Sequence, residues 1–186
     1  QKMAESRTDL STFNNSWYDP GAPKWKILLW YLCKPFFMSY LNPFSGLKVF
    51  MLRSFGAKIG KGVVIKQGVN IKYPWNLSVG DFAWIGEQAW IENHVLVSIG
   101  KHSCISQGAM LLTGNHDYSK VSFDLMVGKI TLEEGVWIGA KCIVAPGVTC
   151  GDHSVLAVMS VASKNLDPFG IYRGNPAEKV KERTIE

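Results

Sequence analysis

Charge and paired cysteines are both scarce in this chain. Only 19% of its 186 residues are charged and 47% are hydrophobic, which excludes a disordered tail and requires a packed core. Four cysteines, Cys33, Cys104, Cys142 and Cys150, stand without a CxxC pair. Neither a zinc knuckle nor a small disulfide framework is therefore expected; they read as small apolar side chains in a reducing compartment. The one long apolar run, at residues 24–38, is too short to span a bilayer and is broken by Lys34 and Pro35. No basic n-region, apolar h-region and cleavage site opens the sequence, so a cytoplasmic protein is expected. A net charge of +5 gives no argument for nucleic acid. The length suits one domain and not two large ones.

Most of the chain also lacks both ordinary periods, the 3.6 of a helix and the 2 of a simple strand. A period of six stands in their place. Aliphatic residues recur at Ile59, Ile65 and Ile71, then after two inserted residues at Val79, Ile85 and Ile91. A second slip of two leads to Ile99, Ile105 and Leu111, and the series returns at Leu132, Ile138, Val144, Cys150 and Leu156. A small residue often follows the aliphatic one. Such spacing fits a chain that turns a corner every six residues, with one aliphatic side chain per side pointing into a narrow triangular core and small residues at the bends. Each coil would pair with the next to form a parallel β solenoid, stabilised by neighbour terms. A β-sandwich has no reason to hold this register.

The divisions expected are a polar lead-in at 1–23, a hydrophobic helical cap at 24–56, the solenoid at 57–164 and a tail at 165–186 containing a short helix. Ser45 is placed to cap the second helix of the cap and Gly56 to stop it. These helices either cover the open first coil or touch a membrane surface through Trp, Tyr and Lys side chains.

The hexads stop between Leu111 and Leu132, so a loop at 113–130 should project, beginning Thr113-Gly114-Asn115-His116-Asp117-Tyr118. Excursions from a solenoid usually serve function. A histidine titrating near neutrality is suited to general-base work, and His116 is the candidate. His94, His102 and His153 occupy outward hexad positions, with His94, beside Asn93, placed to line a pocket.

The hexads, the Thr-Gly-Asn-His-Asp-Tyr loop, Val136-Trp137-Ile138-Gly139-Ala140, Ser163-Lys164 and Arg173-Gly174-Asn175-Pro176-Ala177 together resemble the hexapeptide-repeat acyltransferases. The likeness runs from about residue 56 to the end. It is nearest to exopolysaccharide O-acetyltransferases of the colanic-acid type and to the galactoside, maltose and nodulation-factor enzymes. The resemblance implies a left-handed coil, a homotrimer and acetyl-CoA as co-substrate, with no metal. It implies direct transfer to a sugar hydroxyl, with His116 as base and a backbone N–H near Gly139 and Ala140 holding the oxyanion. It further implies that Trp137, Gly139, Ala140 and Val158 line the pantetheine groove, that Ser163 and Lys164 bind near the phosphates, and that Arg173 and Lys181 take the 3′-phosphate. Asn93, His94, Asn115 and Asp117 are the acceptor-binding candidates. Val158-Met159-Ser160 departs from the usual Gly-Ala-Gly. A carbonic-anhydrase-like zinc site would need His-x4-His, and Val121 stands at that place. The acceptor expected is a free or lipid-linked saccharide, and membrane contact through 24–55 at the inner face goes with the membrane reading of the cap. A streptogramin-type acetyltransferase and a non-enzymatic membrane scaffold are the other readings.

Overall fold

The computed structural model describes residues 7–186. They form a left-handed parallel β-helix, preceded by two helices and closed by a hairpin. Its three sheets are the three sides of a triangular prism. The first stacks Lys58–Ile59, Leu77–Val79, Val97–Ile99, Ile130–Leu132 and Thr149–Cys150. The second runs from Val64–Ile65 through Trp84–Ile85, Cys104–Ile105, Trp137–Ile138 and Val155–Leu156 to the closing hairpin. The third holds Asn70–Ile71, Trp90–Glu92, Met110–Leu112, Ile143–Val144 and Val161–Ala162.

Side chains of the hexad series stack in register on each side. On the second sheet Ile65, Ile85, Ile105, Ile138 and Leu156 pair in sequence and are all buried. Burying each contributes about 1.5–3 kcal/mol. Small residues follow four of them, at Gly86, Ser106, Gly139 and Ala157, and the stacking forces the glycines. A Cβ on Gly139 would lie 2.7 Å from the Leu156 carbonyl oxygen in the next coil.

The corners recur every six residues in the left-handed backbone region. Three residues after the aliphatic position, except at Ile71, Ile91 and Leu111 where the excursions begin, the chain has positive φ, at Gly62, Gly68, Phe82, Gln88, His102, Gly108, Gly135, Lys141, Gly147, His153 and Met159. Six of these eleven carry side chains in a conformation that disfavours them. Cooperative coil pairing holds them there.

Coil length locates the exceptions. Thr131 pairs with Thr149, a step of 18 residues, whereas Lys58 pairs with Ser78 and Ser78 with Ser98, steps of 20. Ser98 to Thr131 takes 33. The two extra residues in each of the first two coils, and the fifteen in the third, all fall between a strand of the third sheet and one of the first. Residues 72–76, 92–96 and 113–129 are therefore stacked on one corner of the prism.

The helix α1 (Lys24–Met38) packs Trp30 and Phe37 against the coil, and the Trp30 indole N–H donates to the Lys72 carbonyl at 2.9 Å. The helix α2 (Ser45–Ser54) ends as expected, with Gly56 at φ 96° and the Ala57 N–H returning to the Leu52 carbonyl. Ser45 acts differently from the expected cap. Its hydroxyl accepts from the Ile65 N–H at 2.8 Å and donates to the Val63 carbonyl, pinning α2 to the first coil.

No helix forms at the C-terminus, contrary to the sequence expectation. Gly170–Gly174 adds a parallel strand to Val155–Leu156, and Ala177–Glu182 returns antiparallel to it. The physical reason is the open edge. The last coil leaves a row of unpaired backbone groups that a strand satisfies and a helix does not.

Candidate active site

The third stacked excursion is a hairpin. Gly114–His116 pairs antiparallel with Leu125–Val127, with His116 opposite Leu125. Thr113 anchors its first strand. The buried Thr113 hydroxyl donates to the Glu92 carbonyl at 2.7 Å and accepts from the His94 N–H at 2.9 Å. Gly114 then crosses the His94 ring, where an added Cβ would meet Cδ2 at 3.0 Å. The Thr-Gly pair thus seats the hairpin directly on the excursion below.

His116 has a fixed tautomer. Its Nδ1 lies 2.9 Å from the Phe123 carbonyl oxygen. A carbonyl can only accept, so Nδ1 carries the proton and Nε2 is left with its lone pair, the state a general base needs. Phe123 also stacks its ring on His116, with centroids 4.4 Å apart and planes within 8°. Phe123 reaches this pose at φ 51°, a strained backbone that aims its carbonyl at the imidazole. Phe13 approaches the same ring at 5.8 Å.

His94 forms a second polar centre beside it. Its Nε2 is 3.0 Å from Lys72 Nζ, and Glu92 Oε1 is 3.7 Å from both. Burial, reinforced by the Lys72 charge, pushes its pKa below the ordinary histidine value, with His116 adding to the effect. Lysine can only donate here, so the His94 proton sits on Nδ1, which is buried and has no partner among the described residues.

The other acceptor candidates divide. Asn93 is fully buried; its Oδ1 accepts from the Tyr73 N–H and its Nδ2 donates to the Tyr73 and Asn76 carbonyls. It is a clamp between two excursions with no group free for a substrate, which corrects the sequence expectation. Asn115 is exposed, and its Oδ1 accepts from the His116 N–H at 2.8 Å. The Asp117 carboxylate turns to Ser119, accepting from its N–H and hydroxyl, and these bonds hold its pKa below the usual range.

Sequence reading missed the lead-in and Lys72. Residues 7–23 lie across this corner: the Asp9 N–H donates to the Val121 carbonyl, and the Tyr18 hydroxyl donates to the His94 carbonyl at 2.8 Å. The Trp75 indole donates to the Pro20 carbonyl. A polar segment without period gives no signal for such long-range contacts. Lys72 did have one, since it stands in the first two-residue slip, on the same corner as His94.

A groove occupies the second sheet, on the side of the prism opposite the His116 corner. Its C-terminal part, about 670 Å³, is lined by Trp137, Gly139, Ala140, Val158 and Arg183 among others. Ser106 and Gln107 join it to a second hollow of about 430 Å³ between Val64 and Glu87. The Trp137 indole N–H donates to the Ser106 hydroxyl at 3.0 Å and stands the ring along the wall. The Gly139 N–H is bonded to the Leu156 carbonyl, and the Ala140 N–H takes no acceptor among the described residues. Gly139 lines the groove, and the next coil also leaves no room there for a Cβ. Ser163, Lys164, Arg173 and Lys181 are exposed and stand outside the groove lining. Arg183, a residue of the basic tail given no site role from sequence, lines it and donates to the Gly135 and His153 carbonyls. Among the described residues no three His, Cys, Asp or Glu side chains are grouped to hold a metal.

Comparison with known proteins gives consistent results. The putative colanic acid biosynthesis acetyltransferase WcaF of Escherichia coli K12 is 43% identical over 136 residues, 73% of this chain and 75% of the relative. Galactoside O-acetyltransferase of the same strain is 26% identical over 135 residues, 71% and 66% of the two chains. In structure, the hexapeptide-repeat acetyltransferase VCA0836 of Vibrio cholerae, complexed with acetyl coenzyme A, superposes with a TM-score of 0.80 at 20% identity, covering 90% of this chain and 93% of that one. No protein-family model matches the chain.

Proposed function

The chain belongs to the hexapeptide-repeat acetyltransferases, and we propose that it moves an acetyl group from acetyl-CoA to a saccharide hydroxyl in surface-polysaccharide biosynthesis. The observation that carries this reading is the His116 imidazole, held by the Phe123 carbonyl with Nε2 free for a proton. In the reaction, Nε2 removes the acceptor hydroxyl proton as its oxygen attacks the thioester carbonyl. The tetrahedral oxyanion collapses to an ester and a CoA thiolate, and the His116 imidazolium returns its proton to sulfur. No covalent enzyme intermediate is required.

The pantetheine arm fits the groove past Trp137, with the Ala140 N–H available to the oxyanion. Ser163, Lys164, Arg173 and Lys181 offer charge and hydroxyls to the nucleotide phosphates from the rim. Lys72 and His94 face the acceptor from below His116. Within one chain the His116 corner and the groove lie on opposite sides of the prism, so the reacting groups cannot meet there. The reading therefore requires a second copy, and a homotrimer in which the base of one chain faces the groove of the next supplies it three times. The relative's name, a colanic acid biosynthesis acetyltransferase, supports a polysaccharide precursor as acceptor, and the membrane face proposed below favours a lipid-linked one.

The test is acetyl-CoA-dependent acetylation of a saccharide panel and of an antibiotic panel, read by mass. Acetylated saccharide is expected. Modification of the antibiotics alone would establish a xenobiotic acetyltransferase instead, and acetyl-CoA binding by neither wild type nor variants would leave the scaffold reading.

A further inference from the structure

The cap helices are apolar on both faces. On α1, Trp30 and Phe37 point inward, while Trp25, Leu28, Leu32 and Phe36 point outward and are exposed. The connection to α2 continues the surface with Leu41, 90% exposed, and α2 adds Phe50 at 66%. A helix that is hydrophobic all round belongs in a core or against a membrane, and such a contiguous patch marks an interaction surface.

Charge identifies the partner. Between Asp19 and Asp81 the sequence has no Asp or Glu but nine Lys or Arg: Lys24, Lys26, Lys34, Lys48, Arg53, Lys58, Lys61, Lys66 and Lys72. This stretch therefore carries +9, and the rest of the chain, by subtraction from the total of +5, carries −4. The charge polarity coincides with the apolar cap and its first coil. Lys48 is buried, its Nζ donating to the Lys66 carbonyl, and a second copy of this chain would bring the other eight cations against eight, which repels. A bilayer surface bearing anionic headgroups is complementary both to the side chains that insert and to the charges around them.

We propose that α1, α2 and their connection form a docking surface for anionic lipid bilayers. No helix among the described residues is long and apolar enough to cross a membrane, so the cap lies on the surface instead of spanning it. The placement has a consequence for substrate. The inner face of α1 bonds through Trp30 to the carbonyl of Lys72, whose side chain meets His94, so the docked helix is anchored beside the acceptor corner. A saccharide carried on a membrane lipid is presented there without leaving the bilayer surface.

The experiment is flotation of the full chain with phosphatidylcholine vesicles, with and without phosphatidylglycerol. Binding is expected only when phosphatidylglycerol is present, and it should weaken as salt is raised. Lys24→Gln should weaken it about fivefold, and the Leu28→Ser/Leu32→Ser double variant by about tenfold or more. Both variants alter exposed side chains, so wild-type melting temperature and acetyl-CoA binding should persist. Absence of wild-type binding to the anionic vesicles overturns the proposal. So does a Leu28→Ser/Leu32→Ser variant that floats like wild type, or one whose oligomer dissociates while wild type ignores vesicles, since the face would then join copies of the chain.

Discussion

At the scale of the residue, two histidines in contact with one hairpin are prepared for different work. His116 has its proton fixed on Nδ1 by a backbone carbonyl. His94 is held neutral by burial and by Lys72. The latter has a measurable consequence. A histidine whose folded pKa lies below the unfolded value of 6.5 binds protons more readily when unfolded, so stability is undiminished above 6.5 and falls as pH drops from there toward the depressed folded pKa. Melting temperature measured against pH should therefore decline below about 6.5 in wild type, and His94→Gln should flatten that decline. Identical profiles for the two proteins would remove His94 from this role. The clamp Asn93 behaves differently. Asn93→Ala leaves the Tyr73 N–H and carbonyl buried without partners, and denaturant unfolding should show a loss of about 2–4 kcal/mol.

At the scale of the element, the hexad and its corners carry the fold. The aliphatic period alone is enough to derive the solenoid, because a six-residue repeat admits few other packings. The two-residue slips were also visible, and register shows what they mean: they stack on one corner and become the floor under the His116 hairpin. Less legible was the closing segment. Its alternation over Ala177–Glu182 is weak, and only the unpaired edge of the last coil decides for a strand. The lead-in was illegible, because Tyr18 acts through the carbonyl and ring of His94, 76 residues away, and Phe13 through the ring of His116, about a hundred residues away.

Corner chemistry supplies a further test. Lys141 is exposed at φ 55°, a backbone costing a side chain about 1–2 kcal/mol. Glycine removes that cost but adds about 0.5–1 kcal/mol of chain entropy on folding. Lys141→Gly should thus stabilise the protein by several tenths of a kcal/mol to about 1 kcal/mol, seen as a raised denaturation midpoint. A fall of similar size would mean that the Lys141 side chain, packed beside Gly108, matters more than its backbone.

At the scale of the whole molecule, the site is divided. The proposed base, His116, and the groove lie on opposite sides of one prism, so the proposed reaction needs a second copy of the chain to bring them together. Light scattering should give a trimer, about 62 kDa from three chains of 20.7 kDa. Mixed trimers sharpen the point. His116→Ala chains and chains whose groove is filled by Ala140→Trp should each be inactive alone, and co-refolding them should restore part of the activity, since some interfaces then carry both intact halves. Restoration is impossible if each chain works by itself.

The most direct test of the central claim pairs calorimetry of acetyl-CoA binding with acceptor-dependent release of the CoA thiol, for wild type and His116→Ala. With His116 as the base, acetyl-CoA affinity should be equal in the two proteins and thiol release lowered about 10²–10⁴-fold in the variant. Thiol release at the wild-type rate from His116→Ala would contradict it.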